Sequence, residues 1–296
     1  MSTAVATLIT EINDRLDSYG EGTTSLAAAI TDTTGTTFTF DDTSVIRKGD
    51  WLSVDNEVVE VMDVDDGTVR RGARGSTAAT HLDAAVVRVN VIFPNHRVLG
   101  ALNSALGRAY PYLYELVEDI TNLVVVADQY EYDIPSTTGV YIMDKLWRVE
   151  IESETNDGVY IPIRKWEMID RYAIRIYNIN AHTAGQVIKL IGTKPFTALT
   201  LAGNLDADFP DTNDNATEYL VVGAMARLLT DVQAQIGRRD SFKGITDSFQ
   251  NSQPFMSIAT AKELQKDAER LLKRCRMQLP QHYTPDPGRA YMRKGE

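Results

Sequence analysis

The sequence predicts an α+β protein: a bundle of about four helices, interrupted by a small barrel-like β insertion and by a second antiparallel β domain. Apolar residues recur at helical spacing in four separated stretches. Runs rich in Val, Thr and aromatic residues fill the intervals between them. The first β run begins after one helix and ends before another, so it reads as an insertion. These patterns assign residues 1–25, 94–122 and 211–279 to a helical core, 26–93 to the inserted β domain and 123–202 to the antiparallel domain.

Residues 4–19 open the chain with Val5, Leu8, Ile9, Ile12 and Leu16 on one helical face and Asp14, Arg15 and Asp17 on the other; Gly20 and Gly22 stop the helix. Such a short amphipathic helix needs a partner for its stripe. From Leu26 to Phe93, TTFTFDD, SVIRKGDWLSVDNEVVEVMDV, GTVRRGARG and AAVVRVN are short β runs, and Asp66-Gly67 signals a hairpin between Val64 and Val69. About five strands with almost no helical pattern suggest a small barrel or sandwich.

Pro94 introduces the second helical segment, in which Val98, Leu102, Ala105, Ala109, Leu113 and Leu116 form a stripe; Pro111 should kink it or start a new helix. In the second β region Tyr130, Tyr132 and Ile134 alternate before Pro135, and QVIKLIG (186–192) is a further strand. Trp51, Trp147 and Trp166 lie in β segments, where alternation would bury them. Asp211 to Asn215 offer N-caps for a helix whose Gly223, Ala224 and Ala226 let another helix approach. A final helix runs from about Ser257 to Leu279, and the Pro-rich residues 280–296 form an extended tail.

Of 296 residues, 43% are hydrophobic and 24% charged, ordinary values for a soluble globular protein. No apolar run approaches the ~20 residues that span a bilayer, and the first residues lack the basic and apolar regions of a signal peptide, so synthesis in the cytoplasm is expected. The net charge of −11 is uneven: residues 262–296 carry nine Lys/Arg against five Asp/Glu, whereas the rest holds 21 basic against 36 acidic residues. An acidic body argues against wrapping nucleic acid and suits a surface past which DNA slides without sticking. The basic stretch reads either as a contact for an acidic protein partner or as a solvated helix end.

Motifs of chemistry are sparse. GARGS (72–76) lacks GxGxxG spacing, and HExxH, GxSxG and CxxC do not occur. His81, His96, His182 and His282 lie in different segments without metal-ligand spacing and read as surface or loop residues. Cys275, the single cysteine, sits among basic residues that could lower its pKa, but an incidental thiol fits better. NLDADFPDTNDN (Asp206, Asp208, Asp211, Asp214) resembles an oxygen-rich cation loop but lacks the EF-hand glycine and closing glutamate; a capping turn explains it better. No catalytic residue, cofactor or metal is expected.

Two stretches are more specific. Gly49 and Asp50, followed by Arg71, Gly72, Gly75, Ser76, Thr77, Ala78 and His81, resemble a small β-module of tailed-phage virion proteins that joins a G-D-hydrophobic strand to an R-G-x-x-G-[ST]-x-A-x-x-H segment. Gly72 and Gly75 suit a tight turn, and His81 suits a hydrogen bond that ties the loop. Asp83-Ala84 stands where a glycine is commoner. LGALNSALGRAYPYLYE, then Tyr130, Tyr132, Ile134 and Pro135, then VYIMDKLWRVEI, resemble the head-to-tail adaptor (connector) proteins of tailed bacteriophages, over residues 95–275. That resemblance implies a structural protein of the virion neck: a homo-oligomeric ring of about twelve copies between the portal protein and a tail or neck protein. The ring would continue the DNA channel without specific DNA binding and without membrane contact. It also implies a portal-docking tail, here Gln281, His282, Tyr283, Arg289, Tyr291, Met292, Arg293 and Lys294. The alternatives are another phage neck, tail-completion or baseplate protein, or a carbohydrate-active hydrolase.

Overall fold

The computed structural model describes residues 3–16, 18, 20–137, 140–156, 158–170, 172–177, 179–205, 209, 214–240 and 258–275. They divide into two compact units, one built from residues up to Arg108 together with Thr197 to Cys275, the other from Ala109 to Phe196. β-structure dominates. Twelve strands form antiparallel sheets of five, four and three strands, beside a two-stranded ribbon and four helices among the described residues. The expected helical bundle with a small β insertion is therefore corrected to a mainly β architecture.

In the first unit the helices are α1 (Val5–Arg15), α2 (Asn95–Ala109), α3 (Asp214–Asp240) and α4 (Ile258–Arg274). α1 buries Val5, Leu8, Ile9 and Ile12, the stripe its spacing predicted. α3 packs against α1 and α4. It also meets α2, where the Tyr219 hydroxyl donates to the carbonyl of Ala105 at 2.9 Å. A Cβ placed on Gly223 would come within 3.2 Å of that of Ala105, so the small side chain permits this close approach.

Inserted between α1 and α2 are β1 (Gly22–Ser25), β2 (Trp51–Val54), β3 (Glu57–Asp63), β4 (Thr68–Arg70) and β5 (Val86–Val89), in the order β1-β5-β2-β3-β4. β1 begins within the stretch assigned by sequence to the helical core. Period-2 alternation turns Leu52, Val54, Val59, Val61, Val69, Val87 and Val89 into one core with Leu26 and Phe38. Residues 36–41 bridge both edges of this sheet. Ala27 and Asp41 donate to or from the β1 side (Ala27 N to Thr39 O, 2.9 Å; Asp41 N to Ser25 O, 3.0 Å). On the other side Phe38 N donates to Gly67 O at 2.8 Å and Val69 N to Thr36 O at 2.7 Å, closing a small barrel. Gly67 has φ +64°, and a Cβ there would lie 2.0 Å from the carbonyl oxygen of Phe38, so the closure requires glycine.

The second unit contains β6 (Glu115–Val124), β7 (Glu131–Asp133), β8 (Ser136–Thr137), β9 (Val140–Tyr141), β10 (Lys145–Glu152), β11 (Tyr160–Pro162), β12 (Trp166–Met168), β13 (Ala173–Ile176) and β14 (Val187–Lys194). Its sheets run β11-β10-β14-β6 and β12-β13-β7. Its core gathers Val125, Tyr132, Ile134, Met143, Val149, Ile151, Ile174, Ile176, Ile188 and Leu190. β6 overturns the expected continuation of helix through residue 122. Pro111 has no N–H to continue α2, and Val117, Ile120, Thr121 and Val124 are β-branched residues that favour a pleated strand. A bulge interrupts its pairing with β14, where Asp119 Oδ1 accepts from the Asn122 amide at 2.8 Å and the Thr121 hydroxyl at 3.1 Å.

Candidate functional site

The module motif converges on one charge cluster. Glu57 opens β3 with the parity of Val59 and Val61, so its carboxylate enters the core face of the barrel, where it is fully buried. Burial pushes a carboxyl pKa up, but the charged partners more than reverse this. Arg71 engages it with two nitrogens, Nε to Oε1 at 3.0 Å and Nη2 to Oε2 at 2.6 Å. The backbone N–H groups of Gly72 and Ala79 each donate at 3.0 Å, and His81 Nε2 lies 2.9 Å from Oε2. Against that desolvation, the hydrogen bonds from His81, Arg71 and the two amides lower Glu57 to about 2.

His81 is itself buried, with Nδ1 2.8 Å from Asp55 Oδ2. Burial alone would lower an imidazole pKa; the two carboxylates at its two nitrogens outweigh this and raise it to about 9. His81 is thus a doubly bonded imidazolium, not the surface or loop residue expected from its isolation in sequence. Arg71 also donates through Nη1 to the carbonyl of Asp32 at 2.7 Å, bonds to Ala79 O, and lies 5.1 Å from the centre of the Phe38 ring.

Local backbone serves this cluster. Gly72 (φ +59°) and Gly75 (φ +83°) turn the loop, with Arg74 also left-handed at φ +54°. Ser76 then fastens it to β3, accepting from Val58 N at 2.8 Å. Gly49 and Asp50 lie apart from Glu57, at the entrance to β2. Asp50 Oδ2 accepts from Arg47 N at 2.7 Å, Asp50 Oδ1 accepts from Asn90 at 3.0 Å, and Gly49 N donates to Val61 O at 2.8 Å. The motif residues Gly49, Asp50, Arg71, Gly72, Gly75, Ser76 and His81 therefore serve two fastenings of one barrel. Glu57, Asp55 and Asn90, which complete them, were not singled out from sequence. The available signal was an acid at position 57 on the apolar parity of β3.

Elsewhere the predicted chemistry finds other settings. Trp51 is half-buried under the guanidinium groups of Arg70 (5.9 Å) and Arg74 (4.9 Å), and Trp147 is half-buried while donating to the Thr193 hydroxyl at 3.0 Å; neither is a core residue. Trp166 is likewise half-buried. His96, on the first turn of α2, is half-buried, and burial lowers its pKa. Cys275 is buried, which raises its thiol pKa and suppresses the thiolate. Asp214 begins α3, whereas Asp206, Asp208 and Asp211 lie outside the described residues, as do all eight predicted docking residues from Gln281 to Lys294. Among the described residues no three His, Cys, Asp or Glu side chains converge on a metal position, and no helix is long and apolar enough to cross a membrane.

No protein-family model and no curated protein matches the chain.

Proposed function

We propose that this chain is a structural virion protein, one subunit of an oligomeric ring that joins the portal of a tailed-phage capsid to its tail and continues the DNA channel. The observation that carries this reading is the charge cluster. The residues that resemble the virion β-module meet in one barrel, and Glu57, Arg71 and His81 spend every charged group on holding loops together. An imidazolium bonded at both nitrogens has no free lone pair to act as a base. The acidic body supports a lumen that repels phosphates, and the basic 262–296 stretch supports docking onto an acidic surface.

Co-expression with a cognate tailed-phage portal protein, followed by negative-stain imaging, tests the reading. The expected result is a ring seated on the portal, detached by deleting residues 280–296 with the ring intact. A chain that stays monomeric in the presence of portal overturns it.

A further inference from the structure

Two loops of the inserted barrel meet the first turn of α2, and the contact is poorly satisfied. From the turn between β2 and β3, the carbonyl of Asp55 accepts from Asn95 Nδ2 at 2.7 Å. From the 72–76 turn, the backbone of Arg74 approaches His96 without completing a hydrogen bond. Three polar atoms of these segments are enclosed and unbonded: Asn56 Oδ1 and both ring nitrogens of His96. Buried polar groups are normally bonded, so each of these atoms weakens the contact. Both barrel loops also hold a non-glycine residue in left-handed backbone, Asp55 at φ +48° and Arg74 at φ +54°. Strained backbone of this kind gathers at switch regions.

The charges around His96 are of one sign. Arg74 faces it from the barrel and Arg97 from α2 itself, and among the described residues no carboxylate acts on it. Asp55 spends its carboxylate on His81, and Glu60 pairs with Arg70. Burial is the main influence holding the His96 imidazole below its ordinary pKa of 6.5; the two guanidiniums add to it, and the Arg74 backbone opposes them only in part. The ring is therefore neutral at pH 7. A proton taken up there puts a third cation into an enclosed site that already faces two.

We propose that the contact between the tip of the 72–76 turn and α2 is an acid-released latch with His96 as its trigger. Near neutral pH the uncharged ring lets Arg74 and Arg97 approach, and the tip is docked. Because the docked state disfavours the proton, the contact is at full strength above pH 6.5 and weakens as pH falls below that value. Release parts Arg74 from His96 and lets water reach the unbonded atoms. In the same interval Glu57 stays ionised and His81 stays charged, so the root of the turn holds. Gly72 N remains bonded to Glu57 and Ser76 Oγ to Val58 N, while Gly72 and Gly75, at φ +59° and +83°, are the hinges on either side of the moving tip. The latch is local to this unit and does not depend on the ring reading.

Two measurements on the full chain test it. In NMR, the amides of Ala73 and Arg74 should shift with the same midpoint as the His96 ring, below pH 6.5, while those of β3 stay fixed. Tryptic cleavage after Arg74, normalised to a free peptide at each pH, should rise by about tenfold between pH 7.5 and 5, as when a minor open state of about 10% becomes the major one. His96→Gln should remove both effects. His96→Lys, a fixed cation, should leave Arg74 open to trypsin at pH 7.5 with unchanged far-UV circular dichroism. Arg74→Gln should raise the midpoint of the His96 ring, a change that packing alone would not produce. An acid shift of the turn that persists in His96→Gln overturns the proposal, as does a wild-type turn that resists trypsin down to pH 5.

Discussion

The two β regions are built from the same materials and held in different ways. Each has an apolar core of Val, Ile and Leu between antiparallel strands. The inserted barrel adds a buried ionic cluster, with Glu57 fully enclosed between Arg71 and His81. Among the described residues of the second unit every ion pair keeps at least one side chain partly exposed: Arg175 bonds to Glu131 at 2.5 Å with both side chains well exposed, Lys189 to Glu118 at 2.7 Å, and Arg148 to the buried Glu150 at 2.7 Å. A buried pair costs desolvation and is retained where it orders something that apolar packing alone would leave loose. Here that something is the 71–81 loop, which has little apolar surface and is ordered by bonds to one carboxylate.

The comparison breaks most visibly at Glu57. Glu57→Ala strands Arg71 and His81 in the core, and should cost the barrel about 3–5 kcal/mol, read as a fall in its unfolding midpoint with the second unit unchanged. An equal fall in both units would mean that they do not unfold independently. Ile174→Ala in the second unit should cost about 3 kcal/mol by cavity formation, with the same penalty at every pH.

The pH dependence sharpens the contrast at smaller amplitude. His81 is raised from 6.5 to about 9, so its contribution is full below pH 6.5 and is lost as pH rises through 9. Glu57 is lowered from 4.5 to about 2, so its contribution is full above pH 4.5 and is lost as pH falls toward 2. Barrel stability should therefore peak between about pH 4.5 and 6.5, measured by denaturant titration across pH. His81→Gln should abolish the alkaline loss; persistence of that loss would assign it elsewhere. Smallest of all, Arg175→Ala should leave the midpoint of the second unit unmoved, because its ion pairs are solvated.

How much of this was readable varies by element. α1 and the strands around Leu52, Val59 and Val87 announce themselves through spacing, because each buries one face and exposes the other. The loop 71–81 was recognisable through its glycines and His81, yet its organiser was not. Glu57, the first of two glutamates in VDNEVVEV, looks like the outward member of an alternating strand, and only counting parity from Val59 and Val61 places it inward. β6 was hidden differently. Leu113 and Leu116 continue the helical stripe of α2, so periodicity alone favours helix, and Pro111 with the β-branched run after it decides the matter only when given more weight than the stripe. The strand residues assigned to helix were the eight of β6 from Glu115 to Asn122 and the four of β1.

The neck of the inserted module has a further consequence. Gly22 pairs with Val89, so the chain enters and leaves the barrel through adjacent antiparallel strands, with Glu21 N donating to Val89 O at 2.9 Å. To the helices on either side, some seventy residues therefore present themselves as a tight turn, and the entropy of joining α1 to α2 barely depends on what the turn contains. Such a domain behaves as a cassette. It can be lengthened, exchanged or removed at the cost of one short loop, and its outward surface can diversify without disturbing the helices that carry it.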